Sequence, residues 1–130
     1  MKVMALDYGS ARTGVAVSDP TGTLARPLGV VERAGGEAGL AELARLVREE
    51  EAERVVVGLP LTMRGTRGEQ AVETELFVEA LRGVLAVPVE LFDERFTTDL
   101  AQRTAGAAPE DALAAAYLLS GWLERCATRS

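Results

Sequence analysis

No histidine occurs anywhere in the 130 residues. That absence removes the Ser-His-Asp triad, the Cys-His pair and the zinc–histidine site together. Cysteine is nearly as scarce. Cys126 is the only one, so no disulfide can form within the chain, and its place near the end of the last expected helix reads as packing rather than nucleophilic chemistry. No apolar run is long enough to cross a bilayer, so no membrane partner is expected. The opening MKVMALDYG lacks the length and the small-residue cleavage site of a signal peptide, and a cytoplasmic protein is the expectation. Acid–base or metal chemistry, if present, must rest on carboxylates.

What is there is ordinary globular composition, 48% hydrophobic and 26% charged, which predicts one domain spanning residues 1–130. The net charge of −6 excludes a nonspecific polyanion binder, although the basic residues are nearly all arginine. Arg64, Arg67 and Arg95 stand beside glycines or threonines, where a guanidinium can meet phosphate bidentately.

Along the chain, residues 2–7 read as a buried strand, followed by a glycine-bearing turn and a strand over 13–18. TLARPLGVVER predicts a third strand, entered through the turn Asp19-Pro20-Thr21-Gly22. GLAELARLVREEEAE is an amphipathic helix with Leu40, Leu43, Leu46 and Val47 on one face, and its EEEAE end reads as solvated. RVVVGLP has the continuous apolar character of a parallel-sheet strand. GEQAVETELFVEALRGV predicts a second helix carrying Val72, Leu76, Phe77 and Leu81. VPVELFDERFTT supplies a last strand, and PEDALAAAYLLSGWLERC a closing helix. The order β-β-β-α-β-α-β-α argues for an α/β fold whose sheet is part antiparallel and part parallel.

Three carboxylate positions stand out on this layout. Asp7 ends the first strand, Asp93 and Glu94 end the last, and Asp111 opens the closing helix. Sites in α/β sheets collect at the carboxyl ends of strands. Asp111, Ala114, Ala115, Leu118 and Trp122 form one helical stripe, which turns Asp111 toward whatever the helix covers. Acids gathered this way repel one another unless a cation neutralises them, and hard oxygen ligands without histidine or thiolate suit Mg²⁺ or Mn²⁺. Each position also has a plainer reading. Asp7 can start a turn, Asp111 can answer a helix dipole, and Asp93-Glu94-Arg95 can be an exposed loop. Gly9 and Gly14 around Arg12 and Thr13, and the arginine–glycine loop GLPLTMRGTRGEQA before a helix, could each border a phosphate. The loop lacks the spacing and lysine of a Walker motif.

ALDYGSARTGVAVSD, VVVGLPLTMRGTRGEQA, VELFDERFTT and EDALAAAYLL, taken in order, resemble the YqgF/RuvX family over nearly the whole chain. These are bacterial RNase H-like proteins described as Holliday junction resolvases and as nucleases maturing the 5′ end of pre-16S ribosomal RNA. The resemblance implies an RNase H-like fold with a central mixed five-stranded sheet flanked by helices. It implies a metal-dependent endonuclease in which Asp7, Glu94 and Asp111 are the catalytic acids and hold Mg²⁺ or Mn²⁺, with Glu94 preferred to Asp93. Arg12, Arg64, Arg67, Arg95, Thr97 and Thr98 are the expected phosphate contacts. The expected partner is nucleic acid, pre-rRNA first and branched DNA second, bound by a monomer or weak homodimer. A catalytically silent scaffold and a nucleotide-binding module are the alternatives.

The chain departs from the family's pattern in places. Thr62 and Arg64 stand where relatives often carry asparagine and aspartate, Gln70 where arginine is common, and Phe96 where leucine is common. The stretch DLAQRTAGAAPE is shorter and less basic than its counterparts. That predicts weaker substrate binding, or greater reliance on a partner or on Arg64 and Arg67.

Overall fold

The computed structural model describes residues 1–9, 11–59, 69–93 and 110–129. Its elements are β1 (Val3–Asp7), β2 (Arg12–Ser18), β3 (Ala25–Glu32), α1 (Glu37–Glu50), β4 (Arg54–Leu59), α2 (Glu69–Val84), β5 (Val89–Asp93) and α3 (Glu110–Arg129). The strands form one sheet in the order β3-β2-β1-β4-β5. β1 pairs antiparallel with β2 and β2 with β3, whereas β1–β4 and β4–β5 are parallel. This is the mixed sheet that the order of elements predicts.

Strand composition follows position in the sheet. β1 and β4 are central and covered on both faces, which is why VMAL and VVV run apolar without alternation. β3 is an edge strand and carries Pro27, whose missing N–H is tolerated there. Opposite Val15 and Ala16 the partner residues are Gly29 and Pro27, so Leu28 is the extra residue of a bulge. The β2–β3 turn is held by the Asp19 carboxylate, which accepts from Thr21 Oγ1 at 2.6 Å, Thr23 N at 2.8 Å and Leu24 N at 3.1 Å.

α1 buries Leu43 and Val47, with Leu40 and Leu46 packed at the margin, as the periodicity predicts. It lies hard against the preceding turn. A Cβ on Gly39 would sit 2.3 Å from the Arg33 carbonyl oxygen, so only glycine permits this approach. The helix stops earlier than its sequence suggests. Glu51 adopts the left-handed conformation (φ 58°), and Ala52 N donates to Val47 O at 3.0 Å. Nor is the acidic end simply solvated: Glu50 lies 3.4 Å from Lys2 Nζ and 3.3 Å from Arg26 Nη2.

α2 is rotated from its expected setting. Its buried positions are Thr74, Phe77, Val78 and Leu81, while Val72 and Leu76 are exposed. The stripe at i, i+3, i+4 and i+7 is real, but it begins on a threonine rather than on an aliphatic residue. Every buried side-chain polar atom among the described residues has a partner, so Thr74 carries no unsatisfied hydroxyl inward.

The sheet separates two cores. On one face, α1 and α2 enclose Met4, Leu6, Val15, Val55 and Val57 together with Leu43, Phe77 and Leu81. On the other, α3 covers Val3, Ala5, Ala16, Val56 and Phe92 with Ala115, Ala116, Leu118, Leu119 and Leu123. The buried face of α3 is wider than the narrow stripe read from sequence, and Ala112 also belongs to it. No helix among the described residues is long and apolar enough to cross a membrane.

Candidate active site

Asp7 is the last residue of β1, the central strand, at the carboxyl rim that β1 shares with parallel β4 and β5. Strand alternation decides which face it takes. Val3 and Ala5 pack under α3, and Asp7 follows at the next position of that period. Its side chain is half-buried. Directly opposite on β2 stands Gly14. On the other side, Leu6 is level with Val57, so one step further Asp7 is level with Gly58 of β4. Both neighbours of Asp7 across the sheet therefore lack a side chain. On the α3 face the sheet positions beside the carboxylate are thus both glycine, on a row whose next member is Phe92, the partner of Gly58 on β5.

The β1–β2 connection brings a cation to this notch. A Cβ on Gly9 would meet the Arg12 carbonyl oxygen at 2.5 Å, so the turn is as tight as glycine allows. Thr13, fully buried, has its hydroxyl 3.5 Å from both the N and the O of Gly9. Arg12, exposed, falls two residues along β2 from Gly14 and shares its face, about 7–8 Å from Asp7 on the diagonal. On the opposite face, Tyr8 stacks on Phe77 of α2 with ring centroids 4.5 Å apart. Burial first, and then the charge of Glu73, push the Tyr8 phenol above its usual range, so it remains a neutral anchor. The strand end carrying Asp7 is thus pinned from the α2 side, while on the α3 side its neighbours in the sheet are glycines.

The other predicted acids are placed unequally. Asp93 closes β5, paired with Leu59 at the same rim, and Glu94 lies outside the described residues. Asp111 lies in the first turn of α3. The helix polarity follows from its other half: Trp122 bonds to Glu90, near the start of β5. Asp111 is eleven residues upstream, about 16 Å along the axis, which carries the first turn back toward the carboxyl rim. Arg64, Arg67, Arg95, Thr97 and Thr98 lie outside the described residues. Among the described residues no three acidic, cysteine or histidine side chains form a metal-binding cluster. The feature that sequence reasoning missed is Gly58. It was visible only as part of GLP, and its position beside Asp7 depends on parallel pairing between segments about 50 residues apart.

Solved structures share this architecture. Thermus thermophilus RuvC in complex with Holliday junction substrate aligns over 98% of this chain and 97% of its own, with a TM-score of 0.63 and 21% identity. The Fowlpox virus resolvase bound to Holliday junction DNA aligns over 97% and 99%, with a TM-score of 0.58 and 11% identity. The class is therefore an RNase H-like fold of the resolvase type. Sequence comparison is more specific. A Chloroflexus aggregans protein named "Putative pre-16S rRNA nuclease" is 44% identical over 131 residues, covering 94% of this chain and 92% of the relative. One of the same name from Anaeromyxobacter sp. (strain Fw109-5) is 44% identical over 133 residues, covering 95% and 97%. Residues 1–125 match the family model described as RuvX, Holliday junction resolvase. The chain belongs to the RuvX family of nucleases.

Proposed function

We propose that this nuclease cuts precursor 16S ribosomal RNA in the cytoplasm, at the carboxyl rim of a single RNase H-like domain, with Asp7, Glu94 and Asp111 as its acids. The observation that carries the reading is Asp7 itself. It is a half-buried carboxylate ending the central strand, on the α3 face, with Gly14 and Gly58 leaving the sheet bare on either side. A charge at the end of a buried strand costs desolvation, and the glycine positions beside it are where a phosphate and its counter-cation would fit.

Glu94, rather than Asp93, is taken as the second acid on the resemblance of DERFTT to the family's motif, at the end of the strand that runs beside β4. Glu90 bonds to Trp122 of α3, and Phe92 packs in the core under that helix, so even-numbered positions take the α3 face. Asp111 is assigned from the polarity of α3. Small side chains on both sides of the contact, Ala5 and Ala16 with Ala115 and Ala116, let the helix approach the sheet closely, which supports this assignment.

This donor set fits a hard divalent cation. It consists of carboxylates alone, without histidine or thiolate, beside two in-sheet glycines, and Asp7, Glu94 and Asp111 would hold Mg²⁺ or Mn²⁺ there. The chemistry supplied by such ions is activation of water and stabilisation of charge on the leaving oxygen of a phosphodiester. The chain's own residues do the rest. Asp7 fixes the centre on a rigid strand, and Arg12 orients a phosphate oxygen on the open side. Arg64, Arg67, Arg95, Thr97 and Thr98 are proposed as further phosphate contacts. With a net charge of −6, affinity rests on these local arginines and falls steeply with salt.

The family description favours a second substrate, branched DNA. Junction resolution requires two such sites across a two-fold axis, whereas RNA trimming needs one, and a monomer or weak homodimer suffices for it. The test is cleavage of labelled pre-16S RNA and of a four-way junction with Mg²⁺, Mn²⁺ or EDTA. RNA cut at its 5′ precursor segment, with cutting abolished by EDTA and by Asp7→Asn, is the expected result. Cleavage that survives Asp7→Asn overturns the site, and cutting of the junction alone overturns the substrate.

A further inference from the structure

Away from the rim, a cleft of about 420 Å³ opens between the C-terminal half of α3 and the β5 side of the sheet. Its walls include Arg54 at the start of β4, Glu90 and Phe92 of β5, and Trp122 and Arg125 of α3. Nothing in the catalytic reading uses it. Within it, Trp122 Nε1 donates to Glu90 Oε1 at 2.6 Å, and Arg54 Nη1 lies 3.3 Å from Glu90 Oε2. One carboxylate thus fixes both the plane of an indole and the position of a guanidinium. Arg125 lies over the Phe92 ring, its guanidinium carbon 5.4 Å from the ring centre.

Two features separate this arrangement from a simple tie between helix and strand. The first is charge. Two arginines, Arg54 and Arg125, border the cleft beside a single carboxylate, Glu90, on a chain whose net charge is −6. The second is shape. A partly buried indole, and a guanidinium held over a phenyl ring, border the open volume. Flat π surfaces beside cationic side chains are the chemistry that receives a nucleobase with its phosphate. Bases in a duplex are already stacked on each other, so the occupant is unpaired. The cleft also lies on a path from the rim. Glu90 is three residues before the end of β5, about 10 Å along the strand. A nucleic-acid strand laid along the α3 side of β5 reaches it within a few nucleotides of the rim.

We infer that this cleft is a subsite for an unpaired nucleotide of the substrate strand, lying to one side of the phosphate that is cut. Trp122 and the Arg125–Phe92 stack take the base, while Arg54 and Arg125 neutralise the flanking phosphates. The inference rests on the nuclease reading for the identity of its ligand, but its test is separate. Trp122 is the only tryptophan in the chain, so intrinsic emission reports on this cleft. Titrating the full chain with a short single-stranded oligouridylate should quench that emission to saturation. Ribo and deoxyribo forms should both quench, because stacking and phosphate contacts do not read the 2′-hydroxyl. A duplex of equal length should leave emission unchanged.

Arg125→Ala, an exposed position in which misfolding is not expected, should weaken binding about tenfold. Asp7→Asn should quench like the parent while failing to cleave. Binding detected by anisotropy with no change in Trp122 emission overturns the inference. So does unchanged affinity in Arg125→Ala, or equal quenching by duplex. If the parent quenches but cuts no substrate with any metal, the nuclease reading fails and the cleft stands. If it cuts but never quenches, the cleft alone fails.

Discussion

Toward the carboxyl rim, the two faces of the sheet carry side chains of different size. Under α1 and α2 the strands present Met4, Leu6, Val15, Val55 and Val57, and the helices answer with Leu43, Phe77 and Leu81. Under α3 the strands present Val3, Ala5, Ala16, Val56 and Phe92, continuing to Gly14, Asp7 and Gly58 at the rim, and α3 answers with Ala112, Ala115 and Ala116 in its earlier turns and with Leu118, Leu119 and Leu123 in its later ones. Large residues fill a core to native density and supply most of the apolar burial. Small ones let a helix come close and leave room at its end. Both faces of this nuclease bury large residues, but on the α3 face the side chains shrink to alanines and glycines in the earlier turns of the helix and at the rim beside Asp7.

That division can be broken most sharply at Asp7. Asp7→Asn should reduce cleavage by about a thousandfold, the scale of several kcal/mol of transition-state stabilisation. The melting temperature should change little, because asparagine keeps the side chain's size and an accepting oxygen at the end of the strand. Kinetics and thermal melts on the same preparation check both halves, and a large loss of stability with intact cleavage would sink the assignment. The reverse pattern is expected across the sheet. Leu81 is fully buried between α2 and the strands, and Leu81→Ala should cost about 2–5 kcal/mol in chemical denaturation. Its turnover below the melting transition should match the parent's.

Much of this division was legible in the sequence, and for physical reasons. Asp7 was conspicuous because a charge ends an apolar strand, a local pattern that needs no partner to interpret. The order of elements followed from periodicity and turn residues. The misreadings fall where a neighbour decides. Val72 and Leu76 looked like the inner face of α2, yet Thr74 takes that place, because the rotation of a helix is set by what it docks on. Glu51 ends α1 without the glycine or asparagine that usually marks a left-handed cap. Gly58 was invisible as part of the site, since only the β1–β4 register sets it beside Asp7. The Trp122 cleft was missed for a related reason. Its residues come from β4, β5 and α3, and alone each reads as surface charge or core aromatic.

The contact between α3 and the sheet offers a finer test. Ala115 is fully buried against the small residues of β1 and β2. Ala115→Leu inserts volume where the helix lies close, which should cost about 1–3 kcal/mol. Because the first turn of α3 must lift to accommodate it, cleavage should fall by more than the stability loss explains. Activity measured well below the melting transition separates the two effects. An unchanged rate there would mean that the approach of α3 does not set the position of Asp111.

The smallest effect is expected at the far end of β2, where a second aspartate belongs to the same sequence motif. Asp19 accepts hydrogen bonds from Thr21, Thr23 and Leu24 within its own turn, and these hold its carboxyl down from the usual 3.8 to about 2. The ionised form is the one that the fold prefers, so its contribution to stability is complete above 3.8 and is lost as pH falls through about 2. The Asp19→Asn protein should therefore melt slightly below the parent at neutral pH, and the gap should close in that acid window. Cleavage should be unaffected, since the turn lies at the opposite end of the sheet from Asp7. The two aspartates of one motif then part company: one shapes a hairpin, and the other stands between two glycines on the α3 face. A cleavage defect in Asp19→Asn comparable to that of Asp7→Asn would show that the motif acts as a single unit, and the contrast between the two ends of the sheet would be lost.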